Sequence, residues 1–166
     1  MISVRSSRNI AQATTPSLYE TDYYAWIQEQ VRALRAGDIE NLDRENVAEE
    51  LDDLARSVRR ELESRLELIM SHLLKWTHQP GKRSASWENT IDEQRARVSD
   101  LLRENPSLKK ELDEVLLSAY NYARRAAGNE MGLNPREWRQ QLPAKCPWSA
   151  LEILNTSYLP KTRARA

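Results

Sequence analysis

The positions of glycine and proline constrain this chain more than any other feature of its sequence. None of its four glycines and seven prolines falls within 38–79, 82–105 or 107–127. Because glycine and proline are the strongest helix breakers, each of these stretches can form a long helix. Apolar residues recur in them at intervals of three and four, which places them on one helical face. The sequence therefore predicts an all-α fold.

Local signals predict four main helices in an up-down bundle, followed by a C-terminal strap of short helices. The predicted bounds are about 18–36, 44–78, 86–104 and 106–127. A capping box of Ser17 and Glu20 opens the first helix, and Gly37 closes it. Gly128 is predicted to end the fourth helix, and Ser149 begins a capping box in the strap.

The apolar spacing also predicts which face of each helix is buried. The first helix is expected to bury Tyr23, Ile27, Val31 and Leu34, with Tyr24 and Trp26 widening this face. The second is expected to bury Val47, Leu51, Leu54, Val58, Leu62, Leu66, Ile69, Leu73 and Trp76. The third is expected to bury Trp87, Ile91, Gln94, Val98, Leu101 and Leu102. The fourth is expected to bury Leu108, Leu112, Val115, Leu116, Ala119, Tyr122, Ala123 and Ala126.

Composition bounds the class of protein. Lys and Arg number 25, as do Asp and Glu, so the chain lacks the overall positive field of a typical nucleic-acid binder. Cys146 is the one cysteine, which excludes an intramolecular disulfide and a zinc site of paired thiolates. No apolar run approaches the roughly 18 residues of a membrane span. We therefore expect a cytoplasmic protein with one domain at 17–160, a disordered tail at 1–16 and a basic tail at 161–166.

Charge is unevenly distributed along the chain. Residues 38–53 contain eight acids and one base, Arg44. Two interpretations stay open at this point. The acidic start of the second helix either faces basic groups of later helices or forms a docking surface for a basic partner.

The strongest polar grouping is predicted at the tip between the second and third helices. It comprises His72, Lys75, Trp76, Arg83, Ser86, Trp87, Thr90 and Arg95. Cations beside indole rings could bind a carboxylate or a phosphate, since the cations supply charge and the indoles exclude water. In the alternative interpretation, Trp76 and Trp87 fill the core and His72 is a hydrogen-bonded structural residue.

Motifs for catalysis are incomplete. Glu49, Glu50 and Asp53 resemble half of the magnesium site of helical nucleotide pyrophosphohydrolases, but the second half has the wrong spacing. We therefore predict no metal and no cofactor, with these carboxylates as weak metal candidates. Di-iron, P-loop, dinucleotide-binding and nucleophile-elbow motifs are absent from the sequence.

One combination of short motifs spans about 18–160. It comprises Tyr23-Tyr24-Ala25-Trp26, Leu34-Arg35-Ala36-Gly37, Leu42 to Leu51, His72-Leu73-Leu74-Lys75-Trp76, Ser86-Trp87, Asn105-Pro106-Ser107-Leu108 and Cys146-Pro147-Trp148. In these motifs the sequence resembles domain of unknown function 29, an uncharacterised bacterial family that is common in cyanobacteria. The resemblance implies an all-helical fold and supplies no catalytic residue. It is weakest at 133–141, where this chain departs from the shorter linker that the family implies.

These observations favour a non-enzymatic helical module that binds another protein, with self-association left open. The alternative is a small-ligand or anion binder, or a metal-dependent nucleotide hydrolase, at the hairpin tip or the acidic cluster. A nucleic-acid accessory protein is the least favoured role.

Overall fold

The computed structural model describes residues 17–161, and within this range the chain contains helices and no strand. The all-α prediction is confirmed. The α-helices are α1 (Leu18–Thr21), α2 (Tyr23–Ala36), α3 (Arg44–His78), α4 (Ala85–Glu104), α5 (Leu112–Glu130), α6 (Pro135–Gln141) and α7 (Ala150–Leu154). Two 3₁₀ helices, Pro80–Lys82 and Pro106–Lys110, precede α4 and α5. Within the described part, no helix has both the length and the apolar character that crossing a bilayer requires.

The described residues form two compact units, 17–53 and 54–161. The helix α3 begins in the first unit and ends in the second. The assignment of 17–160 to one domain stays a prediction. The predicted tail at 1–16 lies outside the described residues, as does the tail at 161–166 except for Lys161.

The first predicted helix is in fact two helices, because Asp22 interrupts it. Asp22 leaves the helical conformation, and its carboxylate accepts a hydrogen bond from the Ala25 backbone at 3.0 Å, so that it caps α2. The predicted capping box of Ser17 and Glu20 is confirmed. Gly37 has a φ of +70° and ends α2 in the left-handed conformation, as predicted.

The fourth predicted helix is wrong at both ends. Its first turn is the 3₁₀ helix Pro106–Lys110, and α5 then continues through Gly128 to Glu130. Gly128 is a packing glycine and does not terminate the helix. A Cβ atom there would lie 2.5 Å from the Cβ of Trp138, which belongs to α6. The glycine therefore allows α6 to pack closely on α5.

The core of the second unit is formed by the second half of α3 together with α4 and α5. Leu62, Leu66, Ile69 and Leu73 are fully buried, as predicted. Leu51 and Leu54 continue the same stripe toward the start of α3, but both are 61% exposed, so this part of the prediction is wrong. On α5 the structure buries Val115, Leu116, Ala119 and Ala123, as predicted. Tyr122 was also predicted to be buried but is exposed, and Tyr120 is buried in its place.

Side chains of α5 hold the irregular strap that follows α6. The guanidinium of Arg124 donates to the carbonyls of Arg139 and Leu142 at 2.7 and 2.8 Å. The hydroxyl of buried Tyr120 donates to the carbonyl of Pro143 at 2.7 Å. The strap has no strand partner in the described range, so these donors satisfy carbonyls that secondary structure would otherwise satisfy.

We predict that Leu62→Ala and Leu66→Ala each lower the free energy of unfolding by about 2–5 kcal/mol, the usual cost of a large-to-small change in a core. Chemical denaturation would measure the loss. Leu51→Ala, on the same helix but exposed, is the control and should change stability by only about 0.5 kcal/mol. Equal effects at positions 51 and 62 would contradict the burial pattern of α3.

Gly128→Ala should destabilise the chain by about 1–3 kcal/mol, since the added methyl group overlaps the Trp138 side chain. Thermal melting would show the effect. Gly81→Ala is the matched control, because nothing lies within 4 Å of a Cβ at that position. In the background Trp138→Gly, which removes the Cβ as well as the ring, the penalty for Gly128→Ala should largely vanish, and an undiminished penalty would disprove the contact.

Candidate functional site

An aromatic cluster organises the first unit. The ring of Trp26 meets that of Tyr19 edge to face at 4.7 Å and stacks on that of Tyr23 at 5.7 Å. Both tyrosine hydroxyls donate to the carboxylate of Glu50, at 2.7 and 2.6 Å. These bonds favour neutral tyrosines and raise the pKa of Tyr19 to about 12 and that of Tyr23 in the same direction. Glu50 therefore joins α1 and α2 to the start of α3.

Asp43 is the second polar centre of this unit. Its carboxylate accepts the indole N–H of Trp26 at 3.2 Å and the side-chain amide of Asn46 at 2.7 Å. Its backbone N–H donates to the side chain of the buried Gln30 at 2.8 Å. Hydrogen bonds, chiefly from Asn46, lower the pKa of Asp43. The carboxylate of Asp43 also accepts the backbone N–H of Asn46 at 3.3 Å, so Asp43 caps the start of α3 and joins α2 to α3.

The apolar face predicted for the first helix is largely unburied. On α2 the buried residues are Trp26 and Gln30. Tyr24, Ile27, Val31 and Leu34 share another face by their spacing, and this set is called the α2 stripe below. Tyr24 is 73% exposed, Leu34 is also exposed, and the other two are only partly buried.

The weak metal candidates Glu49, Glu50 and Asp53 do not form a metal centre in the described part of the chain. Glu50 gives both carboxylate oxygens to tyrosine hydroxyls, while Glu49 is exposed. Within residues 17–161, no group of three or more His, Cys, Asp or Glu side chains is placed to hold a metal ion.

The structure joins three residues of the predicted hairpin-tip cluster and adds one that sequence reasoning missed. Lys75 is 4% exposed, and its ammonium bonds the carboxylate of Glu130 from α5. The same ammonium lies 3.3 Å from Nε2 of His72 and 5.0 Å from the ring centre of Trp87. Each direction around the buried charge is therefore occupied. Glu130 lies 55 residues from Lys75 along the chain, and no local pattern signals the pair.

Other members of the cluster have different partners. The guanidinium of Arg83 stacks on the ring of Trp76 at 4.9 Å and donates to the Trp76 carbonyl at 2.9 Å. The hydroxyl of Thr90 donates to the carbonyl of Ser86, one turn earlier on α4.

Arg95 binds the C-terminal strap. The buried guanidinium donates from Nε to the Ile153 carbonyl at 2.8 Å and from Nη2 to the Tyr158 carbonyl at 2.9 Å. Burial lowers the pKa of Arg95, although a guanidinium stays protonated at neutral pH. Arg95 therefore bonds the strap, and the prediction that it belongs to the hairpin-tip cluster is not supported by its hydrogen bonds.

Residues 18–159 match a protein family described as "Domain of unknown function DUF29". The chain belongs to this family. No curated protein and no solved structure matches it. The 133–141 segment, where the resemblance was weakest, contains α6, which packs against Gly128 through Trp138.

His72 is the member of the hairpin-tip cluster whose side chain titrates near neutral pH. Its Nδ1 lies 2.9 Å from the Leu68 carbonyl, so this nitrogen carries the proton and Nε2 faces the Lys75 ammonium. Burial lowers the pKa of His72 below its usual 6.5, and the charge of Lys75 acts in the same direction. The neutral imidazole is therefore the form that the folded chain prefers.

We predict that the DUF29 domain loses stability as the pH falls from about 7.5 to 5.5 and that His72→Gln reduces this loss. The pKa of His72 is lower in the folded state than in the unfolded state. On acidification the unfolded state therefore takes up the proton first, which favours unfolding. Urea denaturation at both pH values would measure the difference. Equal pH dependence in wild type and His72→Gln would contradict the assignment.

Proposed function

We propose that this chain is a non-enzymatic protein-interaction module whose docking surface is the α2 stripe. The partner is a segment with apolar and basic side chains. The single observation that carries the proposal is the exposure of an apolar helical face on a strongly acidic unit. The proposal includes a bacterial, cytoplasmic location, which suits the lone Cys146.

The apolar surface of the proposed interface lies on α2. Its buried residues are Trp26 and Gln30, and the stripe lies on the neighbouring face of the helix, which is only partly covered. Tyr24 and Leu34 occupy its two ends, ten residues or about 15 Å apart. Tyrosine is among the side chains that contribute most to protein interfaces.

Charge selects the kind of partner. Residues 17–53 contain eleven acids and only three bases, which are Arg32, Arg35 and Arg44. A second copy would bring the same excess of acids to the interface, and like charges repel at close range. Nucleic acid would be repelled for the same reason. A basic segment is attracted, and its apolar residues can cover the stripe.

The polar groups at the hairpin tip support a structural role. The ammonium of Lys75 bonds both His72 and Glu130, and Arg83 donates to the carbonyl of Trp76. Contacts of this kind hold the ends of α3 and α5 and the start of α4.

A defined peptide tests the surface directly. A fluorescein-labelled helical peptide with Leu on one face and Lys or Arg on the other should bind the wild-type chain in an anisotropy titration. Tyr24→Ser combined with Leu34→Ser should raise the dissociation constant about fivefold or more, as for central interface residues. Leu117→Ser, at an equally exposed leucine of the second unit, is the matched control and should bind like wild type.

Three results would overturn the proposal. One is equal affinity for the same peptide with Glu in place of Lys and Arg. Another is affinity that does not fall as salt rises from about 0.05 to 0.5 M, because screening must weaken the attraction. The third is sedimentation as a dimer that Tyr24→Ser abolishes, which would assign the stripe to self-association.

A photo-crosslinker at position 24 would identify the natural partner in a lysate of the source organism. We expect the crosslinked segment to be rich in Lys and Arg. The same crosslinker at position 117 should not capture that segment. A captured segment that is acidic, or that position 117 captures equally, would contradict the proposal.

A further inference from the structure

A cavity of about 380 Å³ lies in the second unit, beside α4. Three cationic residues line it, Arg95, Arg103 and Lys109, and no acidic residue is among the lining residues. The volume falls within the range of small-molecule sites. The cavity is therefore large enough for a ligand and carries an excess of positive charge.

Arg95 is the deepest of the three cations and has an unmet hydrogen-bonding atom. Its side chain is fully buried, and Nε and Nη2 donate to carbonyls of the strap. Nη1 has no hydrogen-bond partner in the structure. The carboxylate of Asp92 lies 3.9 Å from Nη1, which is too far for a hydrogen bond. A buried donor without an acceptor is costly, so the charge of Arg95 is incompletely compensated and attracts an anion placed in the adjacent cavity.

The other two cations differ in their partners. Arg103 is exposed and forms an ion pair with Asp100 on its own helix. Lys109 lies on the 3₁₀ helix Pro106–Lys110, and it pairs with no acid in the part of the chain that the structure describes. Lys109 is therefore available to an anion, whereas the buried Lys75 already has Glu130 and His72.

The remaining wall is mostly apolar. Val98 and Leu102 of α4 and Leu154 of α7 line the cavity together with the hydroxyl-bearing Ser99. A few converging polar groups on an apolar wall are typical of sites for small organic ligands. A bare inorganic ion would leave this wall in contact with water.

We propose that this cavity binds a small organic anion. The ammonium of Lys109 donates to its carboxylate or phosphate group, the positive charge of the adjacent Arg95 attracts the same group, and its hydrocarbon part packs against Leu102 and Leu154. Guanidinium and ammonium groups bind both kinds of anionic head. The site is separate from the α2 stripe and does not depend on the function proposed for it.

Isothermal titration of the full chain with hexanoate and hexyl phosphate tests the proposal. At least one of them should bind saturably, and the tighter one identifies the head group. 1-Hexanol, which lacks the charge, should bind far more weakly. Inorganic phosphate should bind more weakly than hexyl phosphate, because it cannot cover the apolar wall.

Lys109→Gln is the variant that decides the role of charge. It should raise the dissociation constant of the anion about fivefold, the effect of losing one exposed charge contact. Lys110→Gln, at the next exposed lysine of the same 3₁₀ helix, lies outside the cavity lining and should leave binding unchanged. Equal binding by wild type and Lys109→Gln would overturn the proposal.

Arg95 anchors the strap, so its part is better tested in the wild-type chain. The side-chain N–H resonances of Arg95 should shift in NMR spectra as hexanoate or hexyl phosphate is added. The proposal fails if neither anion binds saturably or if hexanol binds as tightly as they do. It also fails if inorganic phosphate matches hexyl phosphate, or if an anion binds without moving the Arg95 resonances.

Discussion

A buried guanidinium that donates to backbone carbonyls is the interaction on which the second unit depends. Arg95 takes its charge out of water, which is costly unless other groups compensate. The carbonyl oxygens of Ile153 and Tyr158 provide that compensation. In return, Arg95 satisfies carbonyls of a segment that has no strand partner in the described range. Arg124 and Tyr120 likewise donate to the carbonyls of Leu142 and Pro143 at the start of the strap. Long side chains of the helices therefore replace regular backbone pairing there.

The first unit is held together by a different kind of contact. Its centre is the buried ring of Trp26 packed on Tyr19 and Tyr23, and the polar atoms of these three rings bond the carboxylates of Asp43 and Glu50. Such a centre needs few aliphatic residues. The aliphatic face of α2 is consequently left over, and that surplus is the physical basis for proposing an interface on this unit.

Reasoning from the sequence was most successful where an interaction is local. The capping boxes at Ser17 and Ser149 and the left-handed Gly37 depend on atoms within four residues of one another, and all three were predicted correctly. The hairpin-tip cluster was predicted only in part. His72 and Lys75 are one turn apart on α3, but Glu130 joins them from α5 and carries no local signal.

The sequence by itself determined that the chain is helical and where most helices begin, because helix propensity and capping act within one or two turns. Only the tertiary structure decided which of two apolar faces α2 buries. It also decided that Gly128 is a packing position and that Arg95 binds the strap. Each of these outcomes depends on which groups from distant parts of the chain meet, and periodicity along one helix contains no information about its neighbour. The same holds for the cavity beside Arg95, whose charge and apolar wall come from three separate elements.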